Sequence, residues 1–370
     1  MNCITLFLCG DVMLGRGIDQ ILAHPNRPHL FEPCVRSARD YVSLAEAKSG
    51  PLPECVPFDY VWGDALHELE RVSPDARIIN LETAVTCSED AWPGKGIHYR
   101  MHPANVPVLC AAKIDCCSLA NNHVLDWGYR GLTETLDTLH AAAIHTVGAG
   151  QDEVEAATPA LIDLAGGGRV LIFAYATESS GVSENWAAVR GRAGVNRLKD
   201  LSADCVRAIA AQVHTVRQPA DIVVVSIHWG ANFDFDIPVS QRRFARGLID
   251  SAAADVVHGH SSHHVKGIEV YRDKLILYGA GDFINDYEGI SGEESYRGDL
   301  ALMYFPTLDP GTGKLVELSM TPVQIRRFCI NRAPEEGIRW LEETLNQESR
   351  PFGAGVKRGA DDTLVLRAVT

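Results

Sequence analysis

Positive charge is scarce in this chain: 34 Lys and Arg stand against 48 Asp and Glu, a formal net charge of −14. Nonspecific binding of nucleic acid by phosphate neutralisation is therefore excluded as a first reading. Paired-cysteine motifs are missing as well. The ten cysteines, at 3, 9, 34, 55, 87, 110, 116, 117, 205 and 329, include no CxxC and follow no regular spacing, which argues against a zinc ribbon or a disulfide framework. Long apolar runs are absent: the N-terminal MNCITLFLCGD has no basic leader, and its stretch from Ile4 to Cys9 is too short for a signal peptide or a membrane span. A soluble protein of a reducing, cytoplasmic compartment is expected, with neither membrane nor nucleic acid among its partners. The chain lacks repeats and low-complexity tracts. Because 46% of residues are hydrophobic and only 22% charged, general disorder is excluded and a large core can form.

Short apolar runs alternate with helix-like stretches, among them Gly131 to Ala143 and Gln241 to Ala254, and this predicts an α/β architecture. One domain is expected over residues 1–330, with the stretch from Pro51 to Pro57 as a surface insertion. MYFPTLDPGTGKLVELSM predicts a hairpin turning at Asp309, Pro310 and Gly311. Residues 331–370 read as a helix and strand packing on that domain, the helix from Pro334 to Gln347 carrying Ile338, Leu341 and Leu345 on one face.

Polar residues sit where the apolar runs stop. ITLFLCG is followed by Asp11, RIIN leads to Glu82, and DCCSLA leads to Asn121, Asn122 and His123; IVVVSI ends at His228, DVV at His258 and His260, and LILYGAG at Asp282. Six predicted strands thus deliver a carboxylate, amide or imidazole at their C-terminal ends, the edge where ligand crevices form in α/β sheets. In GDVMLGR, Asp11 offers a hard oxygen to a cation beside glycines that allow tight backbone. Glu82 of NLE is a second carboxylate, although alone it is a weak signal, since a Glu after a buried strand is usually a solvated helix-start residue. ANNHVLDWG combines an amide ligand, Asn122, with His123 as acid or base and Asp126 to hold its second nitrogen; simple turn and cap roles for the two asparagines are the alternative. Five of the fourteen histidines lie between positions 228 and 264. A divalent metal accounts for that crowding, because it holds imidazoles neutral. His228, His260 and His263 are read as ligands, His258 and His264 as structural.

Taken in order, GDVMLGR, NLE, ANNHVLDWG, HWG, GHSSH with the following GIEVY, and LYGAGDF resemble the signature set of the CapA-type poly-gamma-glutamate capsule proteins, over about residues 5 to 285. The resemblance implies their calcineurin-like metallophosphoesterase fold, a four-layer α-β-β-α sandwich in a single domain. It also implies a metal site at Asp11, Glu82, Asn122, His228, His260 and His263, with His123 in the place of the phosphoesterase catalytic histidine. Met13 departs from the pattern, standing where metallophosphoesterases carry the His of their D-x-H motif. Asn232 replaces a usual Glu, Asp282 a usual Asn, and Ser261 and Ser262 a common His-Pro. One divalent ion is expected, calcium or manganese ahead of zinc or iron, and a two-metal hydrolytic centre lacks one ligand.

Inverting an amino-acid Cα needs a base on one face, an acid on the other, and a stabiliser of enolate-like charge. A His-rich, single-metal pocket with Asp partners meets that list. The chain is similar to a soluble branch of this fold group that epimerises the C-terminal residue of a lasso-peptide precursor, and the expected function is a metal-dependent peptide epimerase. His123 with Asp126 or Asp11 would serve one face, and His260 or His263 with Asp282 the other. Arg16, Lys95 and Arg100 are candidate clamps for a substrate carboxylate or phosphate. Trp127 and Trp229 are candidate walls for a peptide, core packing being the commoner fate of such residues. A metallophosphoesterase is the alternative, as is a protein of polyglutamate synthesis or binding, which the net negative charge opposes.

Overall fold

Two β-sheets carry the fold, and the alternation of side chains along their strands decides what packs where. The computed structural model describes residues 3–33 and 35–368; Cys34 and the last two residues of the expected C-terminal segment lie outside these. The larger, ten-stranded sheet runs in the order Ala354–Arg358, Leu364–Ala368, Lys314–Arg326, Leu300–Asp309, Ile4–Val12, Ala76–Leu81, Cys116–Ser118 and His145–Val147, with Asp282–Ile284 and Cys329–Arg332 pairing beside this path. Its members from Ile4–Val12 to His145–Val147 are parallel. The others along that order pair antiparallel. The second sheet runs Ile268–Tyr271, Lys274–Leu277, Val256–His260, Ile222–His228, Arg169–Ala176 and Ala160–Asp163. Its four inner strands are parallel and its edges antiparallel.

Period-two alternation splits the second sheet cleanly. Leu171, Phe173, Tyr175, Val223, Val225 and Ile227 pack against Ile209 and Val213 of helix Ala203–Val216 and Phe244 and Leu248 of helix Val239–Asp250. Their neighbours Val170, Ile172, Ala174, Val224 and Leu275 face the other way, into a core shared with Leu6, Leu8, Ile78 and Ile79 of the larger sheet. Helices Asp64–Val72 and Gly128–Ala141 add Leu69, Leu132, Leu136 and Leu139 to that core. Each such side chain stabilises the fold by roughly 1.5–3 kcal/mol. The architecture is the mixed α/β, two-sheet sandwich implied by the motifs.

The helix expected from Gly131 spans Gly128–Ala141 and that expected from Gln241 spans Val239–Asp250. Both stop earlier than the apolar pattern suggests, because Ala143 and Ala252 adopt the left-handed conformation (φ 57° and 54°). The hairpin turns at Asp309, whose carboxylate accepts from Gly311 N at 2.9 Å and Thr312 Oγ1 at 2.7 Å. The C-terminal helix, Glu335–Ser349, buries Ile338, Leu341 and Leu345, and the two strands after it extend the larger sheet. Between Pro51 and Pro57, Leu52 and Val56 are buried and Val56 N donates to Ile21 O, so this insertion is anchored to the body. The described cysteines are free. Among the described residues no helix is long and apolar enough to cross a membrane.

What this topology does for function is bring the C-terminal ends of parallel strands from both sheets to one rim. His228 and His260 are the last residues of neighbouring strands and stand in register. Asp11 stands in register with Asn80 on one side and Asp282 on the other.

Candidate metal centre

The carboxylates of this rim are buried together. At Gly10 the main chain passes so close to Gly281 that a Cβ would lie 1.9 Å from its carbonyl oxygen; only glycine allows Asp11 and Asp282 to come side by side. Asn80 Nδ2 donates to Asp11 Oδ1 at 2.7 Å and lies 3.4 Å from Glu82 Oε2, while Ser261 N donates to Asp11 Oδ2 at 3.1 Å. Burial, followed by the charge of Asp282, pushes the Asp11 carboxyl up to about 7. Burial and then Asp11 hold Glu82 well above the usual carboxylate range. Asp282 is oriented by Asn285, whose Nδ2 donates to Oδ2 at 2.8 Å.

The imidazoles face these carboxylates. His228 Nδ1 and His260 Nδ1 are 2.8 Å apart, and the other nitrogens are set by Asn122 Oδ1 (2.9 Å from His228 Nε2) and Ser226 Oγ (2.7 Å from His260 Nε2). His260 Nδ1 lies 3.7 Å from Asp11 Oδ1, and His228 Nε2 lies 3.8 Å from Glu82 Oε1. Burial, reinforced by neighbouring histidines, holds both rings well below the usual imidazole pKa. They are therefore neutral, the form that ligates metals. His263 Nδ1 lies 2.8 Å from Asp282 Oδ1. By contrast His258 Nε2 donates to the Cys9 carbonyl, and His264 lies between Asp234 N and the Val265 carbonyl; both are committed to backbone.

Within this cluster, ligand atoms of Asp11, His228 and His260 all lie within 4.8 Å of one another, and so do those of Asp11, His263 and Asp282. Three buried carboxylates, Asp11, Glu82 and Asp282, beside the neutral imidazoles of His228 and His260, form a donor set that fits a divalent cation. The mixture of carboxylate oxygen and imidazole nitrogen suits manganese, iron or zinc. Asp11, Glu82, Asn122, His228, His260 and His263 are all brought to the one rim.

His123 and Asp126 form a dyad at its edge. His123 Nδ1 lies 2.7 Å from Asp126 Oδ2, which also accepts from Tyr99 N at 2.6 Å. A carboxylate only accepts, so Nδ1 carries the hydrogen and Nε2 is bare. Nε2 points into the cluster, 3.7 Å from Glu82 Oε1. Burial lowers the His123 pKa to about 4, against the opposing pull of Asp126. Although burial works the other way, His123 and Lys95 hold Asp126 below the ordinary carboxylate value. Lys95 reaches in from an exposed loop, with Nζ 2.6 Å from Asp126 Oδ1 and 3.1 Å from His123 Nδ1.

The other candidate clamps and walls are committed to protein partners rather than free at this centre. Arg16 is buried and committed internally: its guanidinium pairs with Asp286 at 2.5 and 3.1 Å and with Glu32 at 3.1 Å, and it lies over the Tyr41 ring. Arg100 donates to the carbonyls of Ser88 and Arg27 and stacks on Trp127. Trp127 itself is buried, with Nε1 on the Tyr99 carbonyl. Trp229 packs with Tyr278 and Phe244 in the core under the two helices. Asn80, Ser226 and Asn285, which orient the ligand atoms, escaped the sequence reading; Asn80 and Ser226 share the motif or strand of a named residue, and that proximity was the available signal.

What the fold and this rim define is a two-sheet α/β protein with a candidate divalent-metal centre. The chain belongs to the family described as "Bacterial capsule synthesis protein PGA_cap", which it matches over residues 5–287. It is 46% identical, over 98% of its length and 96% of the relative's, to a Mycobacterium tuberculosis protein named "Probable polyglutamine synthesis accessory protein". It is 28% identical to the "PGA biosynthesis protein CapA" of Bacillus subtilis, over 88% of this chain and 72% of that one. A solved Mycoplasma pneumoniae protein described as a novel phosphatase is similar at 10% identity and a TM-score of 0.47, covering 92% of this chain and 97% of that one; a likeness of that strength says nothing about activity.

Proposed function

We propose that this chain is a metal-dependent hydrolase of a phosphoester, working in the synthesis of a glutamine or glutamate polymer. The observation that carries this reading is the His123–Asp126 dyad, 2.7 Å across, whose free nitrogen faces the carboxylate and imidazole cluster. Asp11, Glu82, Asn122, His228 and His260 would hold the cation. A divalent ion there would polarise a phosphoryl oxygen and promote the ionisation of water. His123 Nε2, unprotonated at neutral pH, takes the proton of the attacking water. Asp126 stabilises the imidazolium that forms, and the same proton then goes to the leaving oxygen. Lys95, the cation at the edge of the dyad, binds an anionic oxygen of the substrate. The polymer context rests on the names of the relatives. A charge of −14 repels a polyanion but not neutral polyglutamine, so the neutral polymer suits this chain better.

The second reading is the metal-dependent peptide epimerase, and one observation favours it: two His–Asp pairs, His123–Asp126 and His263–Asp282, lie beside the same His228. Two acid/base groups are what inversion at Cα needs. One experiment separates the readings. Purified protein with manganese is given an aryl phosphate in one assay and a peptide in deuterated water in another. Phosphate release that is lost on chelation and in His123→Ala is the expected result. Deuterium at a peptide Cα, with no phosphate released, would replace the first reading by the second.

A further inference from the structure

Position 13 is where the expected imidazole of the first motif is missing. Met13 is fully buried there, and its sulfur accepts from the Tyr287 hydroxyl at 3.5 Å, so the thioether is held away as a packed apolar group. The neighbouring strand supplies a different donor at the same level. Asp11 and Asp282 are register partners of a parallel pair, and partnered residues on adjacent strands project to the same face about 4.8 Å apart. Two carboxylates so placed repel each other strongly in a dry site. Arg16 does not neutralise them, being paired with Asp286 and Glu32. Asn285 fixes Asp282 Oδ2, leaving Oδ1 to accept from His263 Nδ1 at 2.8 Å, a contact in which a cation held by both residues would take the place of the shared hydrogen.

We propose that Asp282 is a metal ligand replacing the imidazole absent at position 13. Asp11, His263 and Asp282 then hold a second divalent cation beside the one held by Asp11, His228 and His260. With two carboxylates and one imidazole, the second subsite is the harder of the two, and it takes manganese(II) in preference to softer, thiolate-seeking ions. Asp11 bridges the subsites. This inference rests on the metal-dependent reading above but not on the reaction assigned to it.

The test is stoichiometry and spin coupling, read without any substrate. The full chain is stripped with chelator, reloaded with manganese(II), desalted, and measured by elemental analysis and low-temperature electron paramagnetic resonance. The wild type is expected to hold two equivalents with an exchange-coupled signal. Asp282→Asn, which keeps shape and removes one anionic ligand, is expected to hold one equivalent with an isolated-ion signal. His263→Ala is expected to do the same, which guards against a misfolded Asp282 variant. Two coupled ions in Asp282→Asn would overturn the proposal. So would a wild type holding a single ion that is lost in His228→Ala and kept in Asp282→Asn. Failure of phosphate release would count against the hydrolase alone, since the ion count is measured independently of turnover.

Discussion

His123 gives its Nδ1 hydrogen to Asp126 across 2.7 Å, and that one contact decides which nitrogen is left to face Glu82. The tautomer is chosen by a residue three positions along the same turn, so the dyad is local even though the cluster it faces is not.

Removing the base tests this first. His123→Ala is expected to lower kcat by about 10²- to 10⁴-fold while bound manganese, measured by elemental analysis, stays unchanged. Asp126→Asn is expected to lower kcat too, because the amide can present a hydrogen to Nδ1 and favour the opposite tautomer. Full activity in both variants would remove His123 from the chemistry.

Lys95 is the second test. Lys95→Ala is expected to raise KM for an anionic substrate by roughly 10- to 100-fold, the worth of one charged hydrogen bond, and to leave a neutral analogue unaffected. Lys95→Arg is expected to recover part of the loss, because it keeps the charge. Equal effects on charged and neutral substrates would mean that the lysine serves only to hold Asp126.

Metal binding is expected to be coupled to protons. Asp11 ionises at an ordinary value of 3.8 when unfolded and at about 7 in the metal-free fold. The folded state therefore holds an extra proton between these values, and the contribution of this group to stability falls as pH rises through that window. A cation displaces that proton, whereas burial already holds His228 and His260 below the usual imidazole value, so they release fewer protons. The rise in Tm produced by manganese is therefore expected to grow from pH 5 to pH 7.5. A rise of constant size over that range, measured by calorimetry, would show that Asp11 does not bind the ion.

Arg16 supplies a stability test. Arg16→Met leaves Asp286 and Glu32 buried without their partner, and breaking a buried pair in this way costs about 3–5 kcal/mol. Urea unfolding is expected to show the loss. If the variant folds with normal stability but a raised KM, Arg16 contacts substrate after all.

Gly10→Ala joins stability to the centre. Its Cβ would meet the Gly281 carbonyl oxygen at 1.9 Å, so the Asp11 and Asp282 strands must separate. Both stability and manganese content are expected to fall together. Retention of full metal content would show that this close approach is not what places the two carboxylates.

The sequence was most informative where chemistry is local. Asp11, Glu82, Asn122, His228 and His260 each follow or close an apolar run, and a strand projects its terminal residue at the sheet rim whatever the rest of the chain does. It was least informative about which charges are free. Arg16 reads as a clamp for an anion because its partner Asp286 lies 270 positions away. Lys95 carries no better signal than Arg100, yet one reaches the dyad and the other caps carbonyls. Trp127 and Trp229 are adjacent to site residues in the chain, yet Trp127 caps a helix and Trp229 follows the end of a strand, and both side chains are turned into packed interior.

Composition and the placing of the apolar runs alone determined that this is an α/β protein whose polar residues gather at strand ends, because a continuous apolar run is buried on both faces of a sheet and leaves polar groups to its end. Tertiary structure alone decided that Asp11 lies in register with Asp282, that His228 meets His260, and that Arg16 is spent on Asp286. Strand order and ion pairing depend on distances through space, and those are set by the packing of two sheets rather than by separation along the chain.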